Sequence, residues 1–223
     1  MNKDFQEAIK ICATGSRKEL NGFLRDKSKD NLIAIFNDLL TTYINDKNSS
    51  TLREYIRVAI CGYRRHESKL GYNGYRQTTI GGKTKYEFCE VKPKNISGKE
   101  PAKGKLNAAG NFTDYTWDRF DKDYENNPNM LVSGFVSGKL IYIFEFEFRT
   151  KSFVERLRKL LENKFPNRVR KSRDYLRSAS FDYKNFTYDP NTKIHYLASK
   201  EELLNYKEFI NKDFFKILTE AAK

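Results

Sequence analysis

The sequence predicts a mixed α/β fold in which a central mixed sheet is flanked by helices and preceded by a helical appendage. Three observations carry the prediction. Apolar residues recur at helical spacing up to about residue 69, the pattern then changes to aromatic and β-branched runs punctuated by glycine pairs, and helix and strand patterns alternate from there on.

Short helices come first: DFQEAIKIC, RKELNGFLRD and KDNLIAIFNDLLTTYI, the last with Leu32, Ile33, Phe36, Leu39, Leu40 and Tyr43 at helical spacing. Residues 1–50 form the appendage, and the polar break NDKNSS separates it from a core over residues 51–223 with a basic C-terminal part. Ser50 or Thr51 caps the next helix, TLREYIRVAICGYRRHESK, which puts Leu52, Tyr55, Ile56, Ala59, Ile60 and Tyr63 on one face. YRQTTI and KTKYEFCEVK then form a hairpin about Gly81-Gly82, and PKNISGKEPAKGKLNAAGN reads as a surface loop.

Thr113 or Asn111 caps a helix over DYTWDRFDKDYEN that ends before Pro128. Its helical spacing makes Trp117, Phe120 and Tyr124 core residues rather than base-stacking groups. NMLVSGFVSGKLIYIFEF folds as two strands about Ser137-Gly138, and the helix FVERLRKLLENKF stops near Pro166. A basic loop, a strand over SASFDYKNFTY and one terminal helix, EELLNYKEFINKDFFKILTEAA, complete the chain.

Lys and Arg number 42 against 29 Asp and Glu, a net charge of +13 that points to a polyanionic partner. The best apolar run, LIYIFEFEF, is broken by Glu145 and Glu147, so no membrane-spanning segment is expected. MNKDFQEAIK has charges and no apolar signal-peptide core, which leads us to expect a cytoplasmic protein. Cys12, Cys61 and Cys89 have neither CxxC nor framework spacing and read as reduced thiols.

His66 and His195 are the only histidines, and both read as structural, His195 half-buried in a strand. No GxxxxGK[ST] phosphate cradle is present. Metal-assisted phosphodiester hydrolysis by carboxylates remains, and Glu90-Val91-Lys92 suits it. A strand sends Glu90 and Lys92 to one face and Cys89 and Val91 to the other, with the Val91 carbonyl between them as a further oxygen ligand. The same acid-x-lysine spacing occurs at Glu67/Lys69, Glu162/Lys164 and Asp182/Lys184, so context distinguishes Glu90: it closes a hairpin strand and precedes a basic loop. The bland alternative is an exposed ion pair.

Helix, hairpin with a strand bearing Glu-x-Lys, helix and strand over roughly residues 51–148 resemble the core of the PD-(D/E)xK nuclease superfamily, most of all the Type II restriction endonucleases. The resemblance implies a restriction-endonuclease-like mixed sheet and a Mg²⁺-dependent, sequence-specific double-stranded DNA endonuclease leaving 5′-phosphate and 3′-hydroxyl ends, expected by analogy to act as a homodimer. It places Glu90 as metal ligand, and Lys92 as the group that positions the attacking water or stabilises phosphate charge. The earlier acid of the pattern falls on Asn73, in LGYNGYRQ, which is a departure. An amide oxygen can ligate a hard cation but brings no charge. Asn73 is then rescued by Glu54 or Glu67, or is an inactivating change, or marks a protein that binds DNA without cutting it. An RNA-directed nuclease is the other alternative.

Two segments are expected to contact nucleic acid. One is the loop carrying Lys94, Lys99, Lys103 and Lys105, next to the Glu90 strand. The other is residues 149–177, with eleven basic side chains against three acids, among them Arg168, Arg170, Lys171 and Arg173.

Overall fold

The computed structural model describes residues 2–45, 51–65, 71–96, 104–136 and 139–222. Helices α1 (Lys3–Thr14), α2 (Arg17–Arg25), α3 (Lys29–Asn45) and α4 (Thr51–Ile60) precede the sheet. Strands β1 (Arg64–Arg65), β2 (Gly74–Ile80), β3 (Lys83–Ile96), β5 (Asn129–Val136), β6 (Lys139–Glu147) and β8 (Lys193–Leu197) form a six-stranded mixed sheet in that order, with β3 and β5 parallel and all other neighbours antiparallel. The protein is therefore of the mixed α/β class. Strands β4 (Gly110–Tyr115) and β7 (Leu176–Phe181) make a second, two-stranded sheet. Helices α5 (Trp117–Asn126), α6 (Lys151–Lys164), α7 (Lys200–Asn205) and α8 (Lys212–Ala221) complete the fold.

Helix α4 is shorter than the sequence pattern suggests. Gly62, at φ 73°, closes it: the Tyr63 N–H reaches the Val58 carbonyl at 2.8 Å and the Gly62 N–H the Ala59 carbonyl at 3.3 Å, a Schellman end. The chain then turns into β1 against Gly74 and Tyr75, and His66 and Glu67 lie outside the described residues.

The β2–β3 hairpin forms as expected. Ile80 pairs with Lys83 across Gly81 and Gly82, both at positive φ as a type I′ turn requires. Strand β3 runs on to Ile96 because β5 pairs with it from Cys89 onward, while β2 pairs with it only up to Cys89. Pro93 is tolerated in that stretch because amide directions alternate along a strand: its missing N–H lies on the edge that β2 has left, where no ladder bond is lost.

The sheet is covered on both faces, by two different cores. One face carries Met130, Val132, Phe144 and Phe146 under an aromatic cluster from α5, α6, β4, β7 and α8, including Phe146 stacked on Phe186 at 4.3 Å. The other carries Cys89, Val91, Leu131, Phe135 and Ile143 against Val58 and Cys61 of the α4 region and Ala13 of α1. Helix α1 packs on both α4 and β6, whereas Leu32, Ile33, Phe36 and Leu39 of α3 are exposed.

Two further expectations are corrected. Residues 110–115, read as loop and cap, form β4; Asp114 at φ 52° breaks the two-residue alternation, so Phe112 and Tyr115 both point inward and the strand pattern is hidden. Thr116 caps α5 instead. The single terminal helix is divided: Leu106 bonds Phe209 and Asn211 through the backbone, and Asn211 caps α8 by accepting from the Asp213 and Phe214 amides. Trp117 and Phe120 are buried as expected, while Tyr124 stacks on Phe120 from a more exposed position. No helix among the described residues is long and apolar enough to cross a membrane.

The sheet tolerates little added volume at Gly134, where a Cβ would meet the Tyr142 ring at 2.5 Å, and Tyr142 accepts the Ala108 N–H at 3.1 Å. Gly134→Ala is expected to cost about 1–3 kcal/mol of stability by overpacking, read as a lowered denaturation midpoint with an unchanged slope.

Candidate functional site

Glu90 and Lys92 lie opposite Met130 and Val132 on the aromatic face of the sheet, while Cys89 and Val91 enter the other core. The strand parity expected from the sequence holds. Lys92 Nζ donates to Glu90 Oε1 at 2.7 Å, and the two side chains are only 16% and 10% exposed, so this is not a solvent-exposed ion pair. The lysine ammonium sits over the Phe112 ring at 4.4 Å, and Arg119 Nη2 approaches Glu90 Oε1 at 3.9 Å. Gly110 of β4 lets the chain pass this close: a Cβ there would stand 3.0 Å from Lys92 Cβ and collide with the Phe181 ring.

Asn73 immediately precedes β2. Its Oδ1 accepts the Val91 N–H at 2.7 Å, taking over the edge of β3 where the β2 backbone has left the ladder. In a strand the N–H and C=O of one residue share an edge, so the Val91 carbonyl faces the same gap. Glu54, on α4, lines a cleft of about 510 Å³ together with Val91, Lys92, Pro93, Lys94, Ala109, Gly110, Asn111, Ser178 and Ser180. The sequence-predicted Glu90, Val91, Lys92 and Asn73 are thus brought together, and Glu54 is the helix acid that reaches the neighbouring cleft.

The donors here are hard oxygens: a Glu90 carboxylate whose contacts among the described residues fall on Oε1, the Val91 carbonyl, and the Asn73 amide oxygen with one lone pair engaged. Such a set fits Mg²⁺, which commonly takes one or two carboxylates and completes its shell with water and phosphate oxygens.

The sequence reading missed a buried network behind Glu90. Asp123 accepts from Tyr72 Oη at 3.2 Å and from Tyr115 Oη at 3.3 Å, and Arg119 Nε lies 3.8 Å from it, so Arg119 bridges Asp123 and Glu90. Burial pushes the Asp123 carboxyl above its ordinary range; the Glu90 charge adds to the shift, and Arg119 and the two phenols oppose it. Burial also raises the Tyr72 and Tyr115 phenols. The available signal was the i, i+4 spacing of Arg119 and Asp123 beside the core positions of α5.

The basic residues divide. Lys94 reaches the Lys105 carbonyl at 2.8 Å and Asn107 Oδ1 at 3.1 Å, and burial lowers its pKa; Lys105 is exposed. Lys99 and Lys103 lie outside the described residues. Arg168 stacks on Trp117 at 4.3 Å and grips Asp121 through two hydrogen bonds of 2.7 and 3.2 Å, and Arg170 bonds Asp118 at 3.3 Å and the Asp174 carbonyl at 3.1 Å. Asp118 and Asp121 occupy a different face of α5 from Arg119 and Asp123. These two arginines are therefore engaged within the protein and do not line the Lys92 cleft; Lys171 and Arg173 of the same loop are exposed.

Because the folded Asp123 carboxyl is raised, ionising it costs stability as pH rises from 3.8, its ordinary value, through its folded value. Asp123→Asn is expected to remove that loss, so the wild-type minus variant stability falls with pH over this window, as read by urea unfolding at a series of pH values. No protein-family model matches the chain, and no curated protein matches it in sequence.

Proposed function

We propose that the chain is a Mg²⁺-dependent endonuclease that hydrolyses double-stranded DNA beside β3, leaving 5′-phosphate and 3′-hydroxyl ends. The observation that carries this reading is the Glu90–Lys92 pair: a carboxylate and an amine 2.7 Å apart and largely buried, of which Lys92 lines a cleft that also presents Glu54 and Lys94. A structural ion pair needs no cleft, whereas phosphodiester hydrolysis needs a carboxylate, a cation and room for a phosphate together.

When bound, Mg²⁺ supplies Lewis-acid polarisation of the phosphate and a more acidic water. Glu90, the Val91 carbonyl and the Asn73 amide oxygen would hold it. Lys92, kept in place by Glu90 and the Phe112 ring, presents its positive charge where negative charge develops on the phosphate. Lys94 is fixed by Lys105 and Asn107, so it offers a positioned charge to a flanking phosphate with little ordering cost. The net charge of +13 supports a polyanionic substrate, and a two-fold dimer on a symmetric site is the assembly this reading implies.

A second reading is a DNA-binding protein on the same scaffold that does not cut. It is favoured by Asn73, whose amide caps Val91 and leaves Glu90 as the carboxylate of the set on β3.

Supercoiled plasmid with Mg²⁺ distinguishes the two. Wild type is expected to nick it, Glu90→Gln and Lys92→Gln to lose at least about a hundredfold in rate, a loss of about 2.7 kcal/mol in transition-state stabilisation, and Glu54→Ala to weaken cleavage. Far-ultraviolet circular dichroism of each variant checks its fold, because removing Lys92 leaves a largely buried carboxylate with only the 3.9 Å approach of Arg119, at a cost of about 3 kcal/mol. Cleavage unaffected by Lys92→Gln would sink the site. DNA binding without cleavage by wild type or Asn73→Asp would establish the binding protein, and cleavage of structured RNA alone would move the activity to RNA.

Phosphate neutralisation is tested separately through salt. Lys94→Glu is expected to weaken DNA binding and reduce the slope of log affinity against log salt, by about 0.9 for each phosphate that the variant no longer neutralises. Arg168→Glu, already engaged with Asp121, is expected to change the slope less.

A further inference from the structure

The second face of the sheet holds a group of side chains that the proposed nuclease chemistry does not use. Glu145 lies opposite Leu131 in β6, so it points into the Cys89–Val91 core, away from Glu90, and it is 2% exposed. Its Oε2 is 2.8 Å from His195 Nε2 on β8, and its Oε1 is 3.6 Å from Arg76 Nη2 on β2. Cys61, at the end of α4, completes the group: its Sγ, a Glu145 carboxylate oxygen and a His195 ring nitrogen all lie within 4.8 Å of one another.

We propose that Cys61, Glu145 and His195 form a site for a divalent transition metal of the zinc class, which ties the end of α4 to strands β6 and β8. Four features support it, and none depends on the cleft at Glu90.

The donor set is chemically selective. A thiolate, an imidazole and a carboxylate suit zinc and its neighbours, whereas Mg²⁺ and Ca²⁺ require oxygen donors throughout. The spacing is close to what coordination needs: metal–ligand distances of about 2.0–2.3 Å in a tetrahedron set donor atoms about 3.5 Å apart, so closing the triangle takes side-chain rotation rather than backbone rearrangement.

The charges balance. One thiolate and one carboxylate neutralise the dication, and the adjacent Arg76 is matched by its own bond to Glu87 at 2.6 Å. Arg76 also approaches the Oε1 oxygen of Glu145, which leaves Oε2 for the metal and orients the carboxylate as an outer-shell partner does. Access is provided by His195, whose side chain is 23% exposed at the edge strand while Cys61 and Glu145 are buried.

Binding replaces the His195–Glu145 contact with two metal–ligand bonds and forms a third to sulfur. The Cys61 thiol, pushed up to about 12 chiefly by burial, gives its proton to solvent as the metal–sulfur bond forms, and the proton held between His195 Nε2 and Glu145 Oε2 passes to Nδ1 or to solvent as those two atoms turn to the metal. With three protein donors, a water fills the fourth position.

The test uses the full chain stripped with a chelator and titrated with Co²⁺ and, separately, with Zn²⁺. Wild type is expected to develop a near-ultraviolet thiolate-to-cobalt charge-transfer band at one equivalent and to show a higher unfolding temperature with Zn²⁺. Cys61→Ser and His195→Gln should lose both responses, whereas Cys12→Ser, which removes the exposed thiol, should keep them. The His195 variant keeps the test sound if a change at buried Cys61 prevents folding. No band and no thermal shift in wild type, or responses lost in Cys12→Ser but retained in His195→Gln, would overturn the site.

Discussion

The parallel pairing of β3 with β5 is the constraint on which the candidate site depends. A strand covered on both faces ordinarily carries an unbroken apolar run, yet β3 places Glu90 and Lys92 within it, where β5 alone pairs with it. An ionised carboxylate in that setting needs a partner at hydrogen-bond distance. Lys92 supplies it at 2.7 Å, its ammonium rests on Phe112, and Arg119 stands behind with Asp123. The close approach of β4 at Gly110 and the buried phenols of Tyr72 and Tyr115 are parts of the same arrangement. The residues of the candidate site are therefore also residues that hold β3 against the aromatic core.

How much of this was legible in the sequence depended on how local the signal was. The hairpin was legible because Gly81 and Gly82 mark a turn that few other residues allow, and the parity of Glu90 and Lys92 followed from the two-residue repeat. Strand β4 was hidden because one left-handed residue, Asp114, shifted its inward positions from two apart to three. The division of the terminal helix was set by a long-range backbone bridge from Leu106, which no local pattern announces. Arg168 and Arg170 read as free positive charge because their partners, Asp121 and Asp118, are about fifty residues away in the chain.

The two faces of the sheet are specialised by the same alternation that divides β3. Glu90 and Lys92 lie on the aromatic face, Lys92 beside a cleft that Lys94 also lines. Sulfur, imidazole and a buried carboxylate collect on the other, beneath α1 and α4. That second face also buries Arg57 completely: it donates to Ser133 Oγ at 2.9 Å and to the Arg53 carbonyl at 2.7 Å, and burial lowers its pKa to about 9. A cation held there by neutral acceptors is costly, and it ties α4 to the centre of β5. The helix that carries Glu54 to the cleft is thereby fixed from the far side of the sheet.

Asn73 can be understood from the same electrostatics. A carboxylate at that position would accept the Val91 N–H at least as well as the amide does, so the hydrogen bond alone does not select asparagine. A second negative charge opposite Glu90 would, however, compete for Lys92 and raise the pKa of one acid or the other unless a cation separated them. With asparagine, Lys92 at 2.7 Å and Arg119 at 3.9 Å are left to Glu90. In the proposed Mg²⁺ site the ion would share Glu90 with Lys92 and take its further oxygens from the Val91 carbonyl, the Asn73 amide, water and phosphate. Under that proposal, affinity for the ion would be coupled to affinity for the nucleic acid, since each would complete the other's coordination.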